Sequence, residues 1–376
     1  MQKFLKAAAI CLGLLAAPVA QAVELKDMTW DQIMAQAKTE GEVTFFSWWA
    51  EEWWRTAADQ FTAETGIKVN VVIGDSGPTV TKLLAEKGNP AGTVDVIHFG
   101  GSPTKTIMDA GLLMPGLQAV IPGTDKLDPK LQKMQEGVNV EGYAIPVYRN
   151  QTGFLYNPDK VANPPQSWDD LVKFIQENPG QFAFCDPTKG GSGQAFVQMA
   201  IFNVLGDAKR YDGDTELVSA KIADWSKVWD WFNSVEKDVV ITTSNSDSLE
   251  RLNQGEVSLV MAWDDDTAIA MAKGTLPKTA KLYIPEMGLP GGGDTMGVVV
   301  NAAHPAAAAA FIAYLVRPEV QVQMNKMIGS YLARTDIQGE SALIPEEQRQ
   351  KYGVAWVPAP YKKEFGEEFV ANVLQK

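Results

Sequence analysis

From Glu42 to Gly111 short β-rich runs alternate three times with helix-like stretches, and this punctuation constrains the fold more than any other feature of the chain. Val43-Thr44-Phe45-Phe46 reads as a strand, and Trp54, Ala57, Ala58 and Phe61 then recur at helical spacing on one face. Gly66 stops that helix, Ile67 to Ile73 reads as the next strand, and a loop from Gly74 to Pro78 leads into a helix ending near Gly88. Val94 to Ile97 is the third strand, after which Ser102 stands as N-cap, Pro103 opens the helix and Gly111 closes it. Such a βαβαβ order predicts a mostly parallel sheet whose ligands bind beyond the carboxyl ends of the strands. Those ends carry Trp48 and Trp49, Asp75 and Ser76, and Gly101 and Ser102. Trp53 and Trp54 are expected to anchor the following helix, leaving Trp48 and Trp49 to wall a cleft. Glu51 is a rim candidate as well, although an acid in the first turn also opposes the helix dipole.

The first 22 residues stand apart from the fold. Lys3 and Lys6 precede an apolar run from Ala7 to Ala17, and Ala20-Gln21-Ala22 completes the pattern of a cleavable secretory signal. The remaining length suggests two domains. The formal charge of −13 becomes more negative once those lysines leave, which disfavours nucleic acid and anionic membrane surfaces as partners. Cys185 is then the sole cysteine, so neither an internal disulfide nor a cysteine zinc site is expected. No other apolar run reaches the length of a membrane span.

Beyond Glu141 the pattern changes to an extended segment running through Asn157, and Pro164-Pro165 breaks it. Ser167 with Asp170 predicts a capped helix start. Trp225, Val228, Trp229 and Phe232 fall at core spacing on a later helix, and Pro305 opens an alanine-rich one over Ala306 to Leu315. The stretch from Asp186 to Phe196, with Ser192 inside it, reads as a glycine-rich loop feeding a helix N-terminus, where free N–H groups donate to anionic or hydroxylated ligands. An apolar run from Val257 to Ala262 emerges at Trp263, followed by Asp264, Asp265 and Asp266.

Signals for catalysis are weak. His98 and His304 lack metal-ligand spacing, Gly190-Gly191-Ser192-Gly193-Gln194 departs from a nucleophile elbow at its last position, and Gly291-Gly292-Gly293 does not continue as a dinucleotide fingerprint. Consecutive carboxylates at 264–266 point different ways on a strand or turn, so they make a poor catalytic pair.

Taken in order, "GEVTFFSWW", "FTAETGIKVNVV", "YAIPVYRNQTGFLYN", "PQSWDDL", "GSGQAFVQMA", "LNQGEVSLVMAWDDD" and "AAAAAFIAYLVRPEVQVQMN" span the mature chain. In this order the chain resembles the extracellular solute-binding proteins of ABC importers, in the type II branch that takes up polyamines, thiamine, ferric iron and sugars. The resemblance implies a type II periplasmic-binding-protein fold of the α/β class, with two α/β domains of mixed, mostly parallel sheet joined by crossover strands around a central cleft. The expected division is a signal peptide over 1–22, a first lobe from 23–148 plus 264–300, and a second from 149–263 plus 301–376. By likeness Trp48 and Trp49 face the ligand, Trp263 with Asp264 or Asp265 meets it from a second crossover, and Asp186 and Ser192 from the second domain. No Tyr-Tyr pair occurs, which counts against ferric iron, while Arg149 and Lys189 add positive charge near the cleft. The expected role is a monomeric periplasmic protein that captures a small molecule without cofactor or metal and hands it to an inner-membrane permease with its ATPase. With Glu51, Asp75, Asp264, Asp265 and Asp294 on rim loops, an organic cation such as a polyamine or a thiamine-like compound is the first expectation. A sugar or polyol is the second. A secreted hydrolase using a carboxylate pair is the alternative of another class.

Overall fold

The computed structural model describes residues 25–101, 103–339 and 343–376; the signal peptide expected over 1–22 and Ser102 lie outside the described residues. The expected βαβαβ unit is formed by β1 (Glu42–Ser47), β2 (Lys68–Ile73) and β3 (Val96–Phe99), with β1 parallel to both neighbours. Helix α1 (Trp30–Glu40) precedes the unit and α2 (Glu51–Thr65) links its first two strands. Trp53 and Trp54 are both buried on α2 with Ala57, Ala58 and Phe61, because positions at this spacing share the face turned to the sheet.

The second α/β unit holds β5 (Phe182–Cys185), β6 (Val239–Thr242) and β7 (Leu259–Trp263), again with the middle strand parallel to both neighbours. Two long strands join the units. These are β4 (Ile145–Tyr156) and β8 (Leu289–Val298), antiparallel to each other. One continuous mixed sheet results, in the order β2-β1-β3-β8-β4-β7-β5-β6. The joining strands are antiparallel to the strands flanking them, so parallel order holds only within each unit.

The packing redraws the division read from sequence. Helix α5 (Pro305–Leu315), assigned there to the second lobe, is buried along its length in the core that contains Ile33, Phe45, Trp54 and Phe61 of the first. Leu276, Leu282, Tyr283 and Ile284, assigned to the first lobe, pack in the second with Phe154, Phe182 and Trp263. The crossing back therefore runs along β8, later than Trp263. Sequence periodicity finds a helix but does not say which of two apolar cores receives it. Local signals fare better: Ser167 and Asp170 cap each other's backbone N–H groups as expected, at 3.1 and 3.0 Å.

Gly291-Gly292-Gly293 lies inside β8. A β-carbon on Gly293 would meet the Tyr148 carbonyl and come within 3.0 Å of the Arg149 Cα, so the triplet lets β8 lie close against β4. The register shifts by a bulge between Asp294 and Thr295.

Candidate functional site

The first wall of the site is built where β1 ends. Ala50 stands in the left-handed region at φ 55°, turning the chain sharply from Trp48 and Trp49 into α2. Trp48 stacks on His98 at 4.4 Å and 7°, and Trp49 donates through Nε1 to the Tyr148 hydroxyl at 2.9 Å. Tyr148 in turn donates to Asp294 Oδ2. His98 is buried at the end of β3, and burial holds its imidazole down to about 3, so it is neutral. The Ser47 hydroxyl donates to the Trp49 carbonyl at 3.2 Å, so the 2.9 Å contact with His98 Nδ1 is made by the imidazole N–H. Nε2 is then a bare lone pair 3.4 Å from Asp294 Oδ2, and the contact is not an ion pair.

The acidic floor begins where β7 gives way to α4 (Asp264–Ala272), so Asp264, Asp265 and Asp266 occupy a helix's first turn and not a strand end. Asp264 Oδ1 accepts from the backbone of Gln151 at 3.0 Å and of Asp265 at 2.9 Å, while its buried Oδ2 has no partner among the described residues. Asp265 accepts from Asn150 Nδ2 at 3.1 Å. Burial pushes Asp264 well above the usual carboxylate range, with the Asp265 charge adding to it. Burial lifts Asp265 to about 6, and lifts Asp266, which keeps more solvent contact, to about 7 with help from the Asp265 charge. Asp294 rises to about 8, through burial first and then the charges of Glu136 and Asp265, against the Tyr148 hydrogen bond. Among the described residues no Lys or Arg forms an ion pair with any of these four carboxylates. Buried, uncompensated acids of this kind are a standing cost to the fold.

The remaining expected residues divide. Gly101 sits at φ 63° beside Gly100, where a β-carbon would strike the Asp294 carboxylate, so Gly100 is what lets Asp294 approach. Trp263 is buried, packed on Gly191 and tilted against Trp356 at 6.3 Å. Asp186 accepts from Thr188 and Ser192 from none; its hydroxyl donates to Asn245 at 2.8 Å, tying the glycine-rich loop to a neighbouring helix. Asp75 and Ser76 lie at the start of α3 (Ser76–Glu86), with Asp75 exposed. Two expectations are corrected. Glu51 is exposed and held by Arg55 at 2.8 Å, an i,i+4 pair on the outer face of α2. Arg149 does not offer its charge to the cleft, because it donates to the Leu332 carbonyl at 2.6 Å, pairs with Glu346 at 3.3 Å and stacks on Tyr331. Lys189 is exposed.

Tyr148, Asn150, Gln151, Glu136 and Trp356 enter the site without having been singled out from sequence. One signal was available: Arg149-Asn150-Gln151-Thr152 is a polar run in the middle of a strand otherwise buried. A cavity of about 540 Å³ also opens between the lobes, lined by Met108, Leu113, Met134 and Tyr143 on one side and Thr215 and Pro360 on the other. It holds none of the aromatic or acidic residues above, so the chemistry points to the sheet junction and not to this space. Among the described residues no group of His, Cys, Asp and Glu is arranged to hold a metal ion, and no helix is long and apolar enough to cross a membrane.

Comparison with known proteins places this geometry. The chain is 22% identical to the protein YnjB of Escherichia coli over 316 residues, 78% of this chain and 79% of that one. It is 26% identical to a putrescine/agmatine-binding protein of Pseudomonas aeruginosa over 286 residues, 72% of each. Its fold superposes on the spermidine/putrescine ABC transporter substrate-binding protein of Streptococcus pneumoniae with a TM-score of 0.67 at 19% identity, covering 89% of this chain and 98% of the other. The architecture is thus the type II periplasmic-binding-protein fold. Residues 56–348 match the family described as bacterial extracellular solute-binding protein, and the chain belongs to that family.

Proposed function

We propose that this protein captures an organic cation at the junction of its lobes and delivers it unchanged to a membrane permease driven by an ATPase. One observation carries the reading: Asp264, Asp265 and Asp266 at the start of α4, and Asp294 joined through Tyr148 to Trp49, have no cationic side chain among the described residues to neutralise them. A ligand's ammonium or ring cation supplies the missing charge, and an indole face attracts it by about 0.5–2 kcal/mol. The putrescine/agmatine-binding relative supports the same class of ligand. Trp48, Trp49, Trp263, Asp265 and Asp294 are the proposed contacts, with the chain exported by its first 22 residues and acting as a monomer in the periplasm.

A sugar or polyol is the second reading, favoured by the same raised acids, which when protonated donate to hydroxyl groups, and by apolar contact of sugar faces with indole rings. A thermal-shift panel of polyamines, thiamine, betaines, polyols and sugars, followed by titration at two ionic strengths, separates the two. Cation binding weakens as salt rises, and binding of a neutral ligand barely responds. Recovery of the ligand unchanged supports capture without turnover. Conversion abolished by a carboxylate substitution would return the hydrolase alternative.

A further inference from the structure

Glu136 and Gly137 close a two-residue turn between the short strands Met134–Gln135 and Val138–Asn139, with φ of 45° and 84°. Turns of this hand need positive φ at both central positions and are usually built from Asn-Gly or Gly-Gly. A glutamate held there is strained, and such strain persists only where the surroundings enforce it. The enforcing contacts come from the other lobe. Glu136 accepts from the Lys362 ammonium, which is itself buried and lies 3.9 Å over the Trp356 ring. A β-carbon on Gly137 would come within 2.8 Å of the Val357 carbonyl, so the turn is pressed against the chain between Trp356 and Lys362.

An ammonium held between an indole face and a carboxylate has the chemistry of a ligand subsite, and here a side chain of the protein supplies it. This cage adjoins the acidic floor. A side chain starting at Gly292 would lie 3.5 Å from Trp356 Nε1 and 3.8 Å from both Glu136 Cγ and Asn150 Oδ1, and Asn150 is the residue that donates to Asp265. Trp356 Nε1, beside that same position, is buried without a hydrogen-bond partner among the described residues. The two halves therefore form one site, with a resident cation at one end and unneutralised acids at the other.

We infer that the Lys362 ammonium occupies one of two cation positions in the cleft, so that the site takes a ligand with a single ammonium and excludes a diamine. The inference rests on the organic-cation reading proposed above and narrows it. A diamine's second ammonium would meet the like charge of Lys362 and compete for Glu136 and Trp356 with a group already tethered beside them.

Butylamine and putrescine share a four-carbon chain and differ by one ammonium, so calorimetric titration of both probes reads the second position directly. Wild-type protein is expected to bind butylamine at least as tightly as putrescine. Lys362→Met keeps the apolar stem on Trp356 and vacates the position, and should shift the affinity ratio toward putrescine by about tenfold or more. Lys362→Met with Glu136→Gln should lose most of that shift. Wild-type preference for putrescine by more than about tenfold overturns the inference, and this result is read even if the variants fail to fold. An unchanged ratio in a cooperatively melting Lys362→Met protein overturns it as well and identifies the ion pair as a tie between lobes only. If neither amine binds either protein the inference is overturned, and the organic-cation reading falls with it only if the thermal-shift panel is blank for every cation.

Discussion

Trp49 and Tyr148 lie 99 residues apart, and the indole Nε1 of the first donates to the hydroxyl of the second at 2.9 Å. The rings meet edge to face at 5.6 Å and 73°, so the bond fixes the plane of Trp49 while leaving its orientation independent of ligand. A wall set in advance binds with less loss of side-chain entropy than one assembled around its ligand.

This arrangement separates ring from donor. Trp49→Leu should weaken cation binding by about 0.5–2 kcal/mol, because the π face is lost. Trp49→Phe keeps a face but strands the Tyr148 hydroxyl with one partner, lowering stability by about 0.5–1.5 kcal/mol with a smaller loss of affinity. Parallel melting and titration of both variants checks this, and equal loss of affinity in the two would remove the ring face from the contact.

Stability should fall as pH rises. Asp265, Asp266 and Asp294 are lifted to about 6, 7 and 8 by burial, above their values in the unfolded chain, so the folded protein holds more protons between pH 4 and 8. Their contribution is complete below the unfolded values and is lost as pH climbs through the folded ones. A cationic ligand reverses the trend by favouring the charged carboxylates, and its binding should release protons and tighten from pH 5 to 8. Melting temperatures at pH 5 and pH 8 with and without ligand test the first statement, and titration in buffers of different ionisation heat tests the second.

Asp265→Asn is expected to move affinity and stability in opposite directions. The charge-assisted hydrogen bond to a cation is worth about 1.5–3 kcal/mol and disappears. The unliganded protein no longer buries that carboxylate, and its melting point at pH 8 should rise. A variant that loses both stability and affinity would mark Asp265 as a structural partner of Asn150.

Gly293→Ala should destabilise by about 1–3 kcal/mol, the usual range for overpacking, since the new methyl meets the Tyr148 carbonyl and the backbone of β4 cannot retreat without disturbing Arg149. Denaturant unfolding measures the loss directly.

Saturating ligand should reduce the radius of gyration in solution scattering, because contacts drawn from both lobes favour the closed arrangement. Identical scattering with and without ligand would count against hinge closure along β4 and β8.

Much of the local structure was legible in advance. The helix faces of Trp54 and Trp225, the Ser167 cap and the alanine-rich helix all follow from spacing within one or two turns. Strand-end position was legible for Trp48, Trp49 and Trp263, since strand ends are set by local pattern. What escaped is long-range: Lys362 and Glu136 are 226 residues apart, and nothing near either residue announces the other. The Glu136 turn joins strands of two residues each, too short for any period to register. Glu51 misled because first-turn acids look alike whether they face ligand or a neighbouring arginine. Lobe assignment failed at α5 because burial on every side removes the stripe that would show which core it faces.

The burial of α5 between α1 and β1 has a consequence for how the chain is made. Its central helix comes from residues 305–315, so the first lobe cannot complete its core until most of the polypeptide is available. A nascent chain emerging from its N-terminus carries α1, β1 and α2 with their apolar faces unmatched. The same late closure makes folding slow and leaves those faces exposed meanwhile. A truncation ending near residue 300 should therefore aggregate instead of yielding a free first lobe.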